Sequence, residues 1–218
     1  MEDLIILGAG GTSREIADAV ADINRDARRW NLIGFLDDDI PRQGKTVLGL
    51  PILGSLDCAR QYTTARFIIG VARAGDPWRR KMIVQRLALP RERFAAIIHP
   101  SATVSRTATI GLGTAILQNT VVTTDALIGD HVLIHYNATI AHDAVVDDFV
   151  TMAPGSLIAG SVKLCAGVYL GAGSQVINDV TVGEAALVGL GAVVVRNVGQ
   201  AQTVAGNPAR PLSRPKSS

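Results

Sequence analysis

Aromatic residues, cysteines and long apolar runs are all scarce in this sequence of 218 residues. Phe, Trp and Tyr make up only 4% of the chain, so its 48% of hydrophobic residues are mostly Ala, Val, Ile and Leu. A core built from such small side chains favours thin, repetitive layers. The longest stretch without a charge, residues 107–124, is rich in Gly, Thr, Gln and Asn, so it is not typical of a membrane span.

The distribution of cysteine and charge excludes further classes. The two cysteines, Cys58 and Cys165, lie far apart, and no Cys/His cluster indicates a redox motif or a zinc site. The formal net charge is only +2 with dispersed Lys and Arg, which does not indicate nucleic-acid binding. Acidic residues stand where a secretion signal would be basic. We therefore expect a cytoplasmic protein with reduced thiols that binds neither nucleic acid nor membrane.

The first part of the chain alternates short apolar runs with longer mixed segments, a pattern typical of a β-α-β fold. We expect strands near residues 4–7, 32–36 and 67–71, and amphipathic helices over residues 13–28 and 77–89. These elements predict a small Rossmann-like α/β domain over residues 1–98.

The second part of the chain has a strict period of six residues. Aliphatic side chains recur at every sixth position without an insertion, and small or β-branched residues stand two places before each of them. The sixteen aliphatic positions are Val104, Ile110, Ile116, Val122, Ile128, Ile134, Ile140, Val146, Met152, Ile158, Leu164, Leu170, Val176, Val182, Val188 and Val194.

A helix cannot keep a period of six on one face, but a short strand followed by a corner can. The repeat therefore predicts an all-β parallel β-helix in a second domain of residues 99–218, which ends in a C-terminal tail, with three strands per triangular coil and both rows pointing inward. The ninety residues from Val104 to Val194 make five coils of eighteen. Glycine follows the aliphatic residue at several corners, where we expect the backbone to need room. The repeat predicts the fold and not the function, so a solenoid without catalysis also explains it.

Four features stand in a fixed order: a glycine turn at residues 8–11 (Gly-Ala-Gly-Gly), the hexapeptide run, the pair His142-Asp143, and the segment Gly206-Asn207-Pro208-Ala209. Together they resemble the bacterial sugar acetyltransferases of the NeuD/PglD type. The resemblance implies a left-handed β-helix, a homotrimer, acetyl-CoA as donor, and a nucleotide-linked amino sugar or a sialic acid as acceptor. The handedness comes from the resemblance alone.

Three residues are candidates for the chemistry of acetyl transfer, which needs a base and an oxyanion donor. The resemblance implies that His142 is the general base, and Asp143 is the candidate to orient it. Gly160 stands eighteen residues later, one coil above His142, where its N–H could stabilise the oxyanion. We expect acetyl-CoA to bind near Gly160, Asn207 and Pro208. A solvated corner histidine and a glycine that only eases a corner remain open alternatives.

The glycine turn follows a strand and opens a helix, as phosphate-binding turns do, although Ser13 replaces the third glycine of the dinucleotide fingerprint. With the resemblance, we expect this region to hold the nucleotide of a nucleotide-sugar. A plain tight turn is the alternative. We also expect His135 and Asn137 of a neighbouring subunit to line an acceptor pocket between the subunits. The candidates for acceptor binding are Gly8, Gly10, Gly11, Asp37, Asp38, His135 and Asn137.

Two histidines receive no role: His131 is expected at the surface and His99 in a linker. A zinc hydratase of the gamma carbonic anhydrase type shares the predicted architecture, and His99 and His135 are thirty-six residues apart, on the same corner. That enzyme needs converging ligands at fixed offsets, which His142 does not continue, so we expect no metal.

The favoured hypothesis is an acetyl-CoA-dependent N-acetyltransferase of a nucleotide-linked amino sugar, acting as a cytoplasmic homotrimer. O-acetylation of a sialic acid is the second hypothesis. An inert solenoid that binds nucleotide-sugars is the third. The sequence leaves the sugar, its ring position and the nucleotide base open.

Overall fold

The structure, a computed structural model, describes residues 1–212 and has two domains. The N-terminal domain has a three-stranded parallel sheet in the order β2-β1-β5, a β-hairpin and two α-helices. Its strands are β1 (Glu2–Leu7), β2 (Trp30–Leu36), β3 (Thr46–Val47), β4 (Leu50–Pro51) and β5 (Arg66–Ile69), and its helices are α1 (Gly11–Asp26) and α2 (Arg79–Leu87). Short 3-10 helices cover Ile40–Arg42, Leu56–Gln61 and Arg91–Arg93. The predicted β-α-β pattern is confirmed.

The central strand β1 is buried on both sides. Its residues 4–7 are all 0% exposed, as is typical of a parallel sheet covered on both faces. Ile16 and Val20 of α1 pack on one side, and Ile83 and Leu87 of α2 pack on the other. No helix in residues 1–212 combines the length and the apolarity that a membrane span requires.

The second domain is a parallel β-helix, which we call the solenoid. Two-residue strands recur every six residues from β6 to β22, and a hairpin of β23 and β24 follows them. The strands are β6 (Ile97–Ile98), β7 (Thr103–Val104), β8 (Thr109–Ile110), β9 (Ala115–Ile116), β10 (Val121–Val122), β11 (Leu127–Ile128), β12 (Leu133–Ile134), β13 (Thr139–Ile140), β14 (Val145–Val146), β15 (Thr151–Met152), β16 (Leu157–Ile158), β17 (Lys163–Leu164), β18 (Tyr169–Leu170), β19 (Gln175–Val176), β20 (Thr181–Val182), β21 (Leu187–Val188), β22 (Val193–Val194), β23 (Thr203–Ala205) and β24 (Arg210–Pro211).

From β6 to β19, each of these two-residue strands pairs with the strand three further along the chain, eighteen residues later. This pairing makes three flat faces. The first face contains β6, β9, β12, β15, β18, β21 and the hairpin; the second runs from β7 to β22; the third runs from β8 to β20. We call the turns from first to second face, second to third, and third to first the first, second and third corners. Since β6 pairs with β9, the solenoid begins at Ile97, and with β23 it makes about six turns.

The two predicted inward rows form the solenoid core. All the predicted aliphatic positions are at most 3% exposed except Val104 and Ile110, which lie in the first coil and are partly buried. Such uniform burial of small aliphatic side chains explains how a chain with 4% aromatics stabilises the domain.

Most corners turn through a residue in the left-handed region, three places after the aliphatic residue. Examples are Asn119, Asp125 and Asp143, whose φ angles lie between 56° and 59°. Thr107 and Asn197, at the two ends of the repeat, do not have positive φ. The glycines directly after the aliphatic residues, such as Gly111, do not have positive φ. A Cβ on Gly111 would collide with the backbone of Gly129 in the next coil, so these glycines provide room between coils.

The N-terminal domain packs on the first face. Ile16 and Val20 share one apolar cluster with Ala115 and Leu133 of the solenoid. Within residues 1–212, the hydrogen bonds and ion pairs between the domains all reach the first face or the first and third corners. The second corner therefore lies on the side of the prism opposite to the N-terminal domain of the same chain.

Three histidines lie in this interface: His99, His131 and His135. His99, predicted as a linker residue at the domain junction, is 7% exposed, and its Nε2 lies 2.9 Å from the Asp22 carboxylate, so it joins the two domains. His131 is 5% exposed and packs between the rings of Phe94 and Phe149. Burial lowers the pKa of His131 to about 4. The prediction that His131 is a surface residue is wrong.

Candidate active site

The predicted catalytic pair lies on the second corner, directly after β13. His142 Nδ1 and Asp143 Oδ2 are 2.7 Å apart, and both side chains are more than half exposed. The left-handed conformation of Asp143, with φ of 59°, lets these neighbours meet at the corner. If Nδ1–H donates to the carboxylate, Nε2 carries the free lone pair. That tautomer can accept a proton from a substrate.

Gly160 lies against the imidazole from the coil above. A Cβ at this position would be 2.5 Å from His142 Cε1 and 2.7 Å from Nε2, so a side chain here would displace the ring. The Gly160 carbonyl accepts a hydrogen bond from Asp179 N–H, and within residues 1–212 its own N–H has no backbone partner. The N–H is therefore available to a ligand next to Nε2.

Two further polar residues lie on the second corner above Gly160, at the same position of the next two coils. We call this row of stacked positions the column. The sequence alone did not identify these two residues. Asn178 lies one coil above Gly160, and its Nδ2 is 3.1 Å from the position of a Gly160 Cβ. Arg196 lies one more coil above Asn178. Coils are about 4.8 Å apart, so Arg196 is about 14 Å from His142 along the prism. The spacing of eighteen residues that placed Gly160 above His142 also places both of them.

The glycine turn of the N-terminal domain is built for close approach of the backbone. Gly8 has a φ of 96°, and a Cβ here would lie 2.7 Å from Val71 Cγ2. Ser13, at the position of the third glycine, is buried and donates its hydroxyl to the Gly70 carbonyl at 3.0 Å. Gly10 and Gly11 open helix α1 with no atom within 4 Å of an added Cβ. The first N–H groups of α1 are therefore accessible to an anion.

The two aspartates after β2 are held by hydrogen bonds and ion pairs within the N-terminal domain, Asp37 half-buried and Asp38 exposed. Asp37 accepts the N–H of Ala9 at 2.7 Å and that of Asp39 at 2.8 Å, so it holds the glycine turn. Asp38 accepts the N–H of Leu56 and pairs with Arg86 at 2.6 Å. Both carboxylates therefore fix the shape of this region, and their contact with an acceptor stays a prediction.

Two cavities flank the glycine turn. The smaller one, of about 250 Å³, is lined by Gly8, Asp37, Asp38, Val71, Arg79 and Arg86, among others. The larger one, of about 460 Å³, is lined by Gly10, Gly11, Arg14, Arg42 and Lys45, among others. Apolar walls with cations at a helix N-terminus suit a nucleoside attached to a diphosphate.

His135 does not lie on an open edge. It is 8% exposed on the first corner, and its Nδ1 lies 3.1 Å from Glu15 of α1. Burial lowers the pKa of this imidazole. The docked N-terminal domain thus covers the side chain that was expected to line a pocket between subunits. Asn137, two residues later, stays exposed.

The last predicted site residues lie at the far end of the solenoid. Asn207 and Pro208 are in the exposed turn between β23 and β24, and the carbonyl of the preceding Gly206 accepts the N–H of Val193. Among the residues that the structure describes, no group of three or more His, Cys, Asp or Glu is arranged to hold a metal ion. His99 and His135 are each bonded to a carboxylate of α1 instead.

Known proteins resemble both domains. The PglD N-terminal domain family matches residues 3–87. The UDP-N-acetylbacillosamine N-acetyltransferase of Bacillus subtilis is 33% identical over 119 residues, a match that covers 54% of this chain and about half (52%) of that relative.

Several solved structures match nearly the whole chain, among them the following two. The acetyltransferase domain of PglB from Neisseria gonorrhoeae, in complex with acetyl coenzyme A, is 31% identical with a TM-score of 0.86, covering 97% of this chain and 99% of that one. A variant of perosamine N-acetyltransferase from Caulobacter crescentus, in complex with CoA and GDP-perosamine, is 27% identical with a TM-score of 0.85, covering 98% of both chains.

Proposed function

Because the chain belongs to the NeuD/PglD type of sugar acetyltransferases, whose β-helix is left-handed, we propose that it transfers acetyl from acetyl-CoA to the amine of a nucleotide-linked amino sugar. The observation that carries the proposal is the contact between His142 and Gly160. A base held by a carboxylate lies there beside a free backbone N–H, with no room for a side chain between them. Acyl transfer needs this combination.

The reaction is a direct transfer. The sugar amine attacks the thioester carbonyl, and His142 Nε2 takes the proton that the amine loses. Gly160 N–H stabilises the oxyanion of the tetrahedral intermediate. The C–S bond then breaks, and the CoA thiolate leaves with the proton from His142. Asp143 keeps the imidazole oriented and stabilises its cation during these steps.

Acetyl-CoA would lie along the second corner. Its thioester lies at His142 and Gly160, and the rest of the molecule follows the column upward past Asn178. This direction leads to the terminal hairpin, where Asn207 and Pro208 were predicted to contact it. The relative from Neisseria gonorrhoeae was solved with acetyl coenzyme A, which supports a donor site in this type of protein.

The acceptor would be held by the N-terminal domain, residues 1–98, with its diphosphate at the open turn of Gly10 and Gly11. Arg42 and Lys45 lie in the adjoining cavity and can neutralise phosphate charge. The relative from Caulobacter crescentus was solved with GDP-perosamine, an amino sugar on a nucleoside diphosphate. Residues 99–218 would then bind the donor and carry the base.

The arrangement of the domains supports a homotrimer. His142 lies on the corner opposite to the face that carries its own N-terminal domain, so one chain does not bring its two sites together. A threefold assembly can place the N-terminal domain of one subunit at the second corner of the next. Apolar side chains that are exposed on the second and third faces, such as Leu157 and Leu127, would be covered by neighbouring prisms.

A substrate screen tests the proposal. Nucleotide-linked amino sugars are incubated with acetyl-CoA, thiol release is followed, and the product is identified by its mass. The wild type should acetylate the amine of at least one compound, and His142→Ala should lower kcat by about 10²–10⁴-fold. Arg106→Ala, on the same corner two coils below, is the matched control and should keep full activity. If no compound is acetylated, or if His142→Ala stays as active as the control, the proposal is wrong.

A further inference from the structure

A buried cation joins the two domains. Arg80, the second residue of α2, is 5% exposed and reaches the solenoid at its third corner. Its Nε donates to the His131 carbonyl at 3.0 Å, and one terminal nitrogen donates to the Val150 carbonyl at 3.0 Å and to the Thr151 hydroxyl at 2.9 Å. It also bonds the Phe149 carbonyl. These partners are all on the solenoid.

The same guanidinium also holds the N-terminal domain. Its second terminal nitrogen donates to the Val71 carbonyl at 3.1 Å. Val71 lines the smaller cavity, and so do Arg79, Ile83 and Arg86 from the helix that Arg80 belongs to. A shift of Arg80 relative to the third corner would therefore move this whole cavity, which adjoins the glycine turn, relative to the solenoid.

Docking alone does not require a buried charge. The first face already offers apolar side chains such as Leu133 to the N-terminal domain, and apolar contact is non-directional. Burial of Arg80 lowers its pKa to about 10, so it is still charged at neutral pH and needs all its hydrogen bonds. The planar Arg80 guanidinium, with its five N–H donors, fixes the orientation of the two domains as well as the distance between them. The interaction therefore provides precise placement more than added affinity.

We propose that Arg80 is a positioning residue, which holds the nucleotide-sugar cavity at one place on the solenoid so that the sugar amine reaches His142 of the adjacent subunit. The inference rests on the proposed function, because the sugar must extend from one domain to a base on another chain. A displacement of about 1 Å in such an arrangement can reduce the rate by about 10²-fold.

Two variants test the role of Arg80. Arg80→Met removes the donors, and Arg80→Lys keeps a charge and a similar length but replaces the fork by a point charge. Each should lower kcat for the nucleotide-linked sugar by about 10- to 100-fold, while the Kd of the free nucleoside diphosphate stays within about threefold. The free amino sugar lacks the nucleoside diphosphate that the N-terminal domain is proposed to hold, so its acetylation should keep the wild-type rate.

The free amino sugar separates positioning from stability, since a loss of folded enzyme would lower both rates together. Arg91→Met is the matched control: it removes an exposed ion pair between Arg91 and Asp130 at the same corner, which solvent screens, and should leave both rates unchanged. Thermal melting checks the fold, and Arg80→Lys decides the question if Arg80→Met does not fold.

The outcomes separate the two proposals. If the wild type acetylates no nucleotide-linked sugar, the proposed function fails and the role of Arg80 fails with it. If the wild type is active and both folded variants keep kcat, or lose both rates in parallel, Arg80 is not a positioning residue and the proposed function stands.

Discussion

Gly160→Ala is a sharp perturbation of the candidate site, because it adds one methyl group at a known place. The new Cβ would lie 2.5 Å from His142 Cε1 and 2.7 Å from Nε2. Ordinary contacts between carbon atoms are about 3.5–4.0 Å, so the ring must move by about 1 Å. The movement weakens the bond of 2.7 Å between Nδ1 and Asp143 and carries Nε2 away from the Gly160 N–H.

We expect Gly160→Ala to lower kcat strongly and to change the stability of the fold very little. A misplacement of about 1 Å at the reacting centre can reduce kcat by about 10²-fold. Gly160 does not have a positive φ, and the His142 side chain is 59% exposed and free to swing outward, so the free energy of unfolding should change by less than about 0.5 kcal/mol.

A matched control is available in the same coil. Gly155 has a φ of 67° and no side chain near its missing Cβ, so Gly155→Ala should cost about 1–2 kcal/mol of stability and leave kcat intact. Thiol release with a nucleotide-linked acceptor gives kcat, and thermal melting gives stability. A Gly160→Ala enzyme with kcat within about threefold of wild type would refute the assignment of this contact to the chemistry.

Three further results are expected. Asp37→Asn weakens the hydrogen bond from the Ala9 N–H, so it should raise the KM of the nucleotide-sugar and cost about 1 kcal/mol of stability. The KM of acetyl-CoA should stay unchanged, and a rise in it would contradict the proposed roles of the two domains. Because burial lowers the pKa of His131 from 6.5 to about 4, the stability that depends on its neutral form is present above pH 6.5 and is lost as pH falls toward 4. Denaturant titrations at pH 7 and pH 5 should show about 2 kcal/mol more loss in the wild type than in His131→Phe, and equal losses would refute this linkage. Light scattering should give a trimer, and a fully active monomer would exclude a site shared between subunits.

Periodicity predicted the solenoid because a hexapeptide repeat constrains every coil in the same way. The inward rows, the strand positions and the stacking of Gly160 above His142 all follow from counting residues. The contact between His142 and Asp143 could not be predicted by counting residues, since neighbouring side chains on a strand point apart. It depends on the left-handed corner residue, and the sequence marks that position only weakly, because His131, Phe149, Ser161 and Ala185 occupy it as well as Asn, Asp and Gly.

The four histidines show what the hexapeptide repeat cannot predict. His99, His131, His135 and His142 all stand on corners, one to three places after an aliphatic residue, and the repeat alone does not distinguish one corner from another. Their environments differ because the N-terminal domain covers the first and third corners and leaves the second corner open. Which face it covers is decided by contacts between segments far apart in the chain, such as Arg80 with Val150. A local pattern does not encode such contacts, so the sequence predicted the exposed histidine correctly and misplaced His131 and His135.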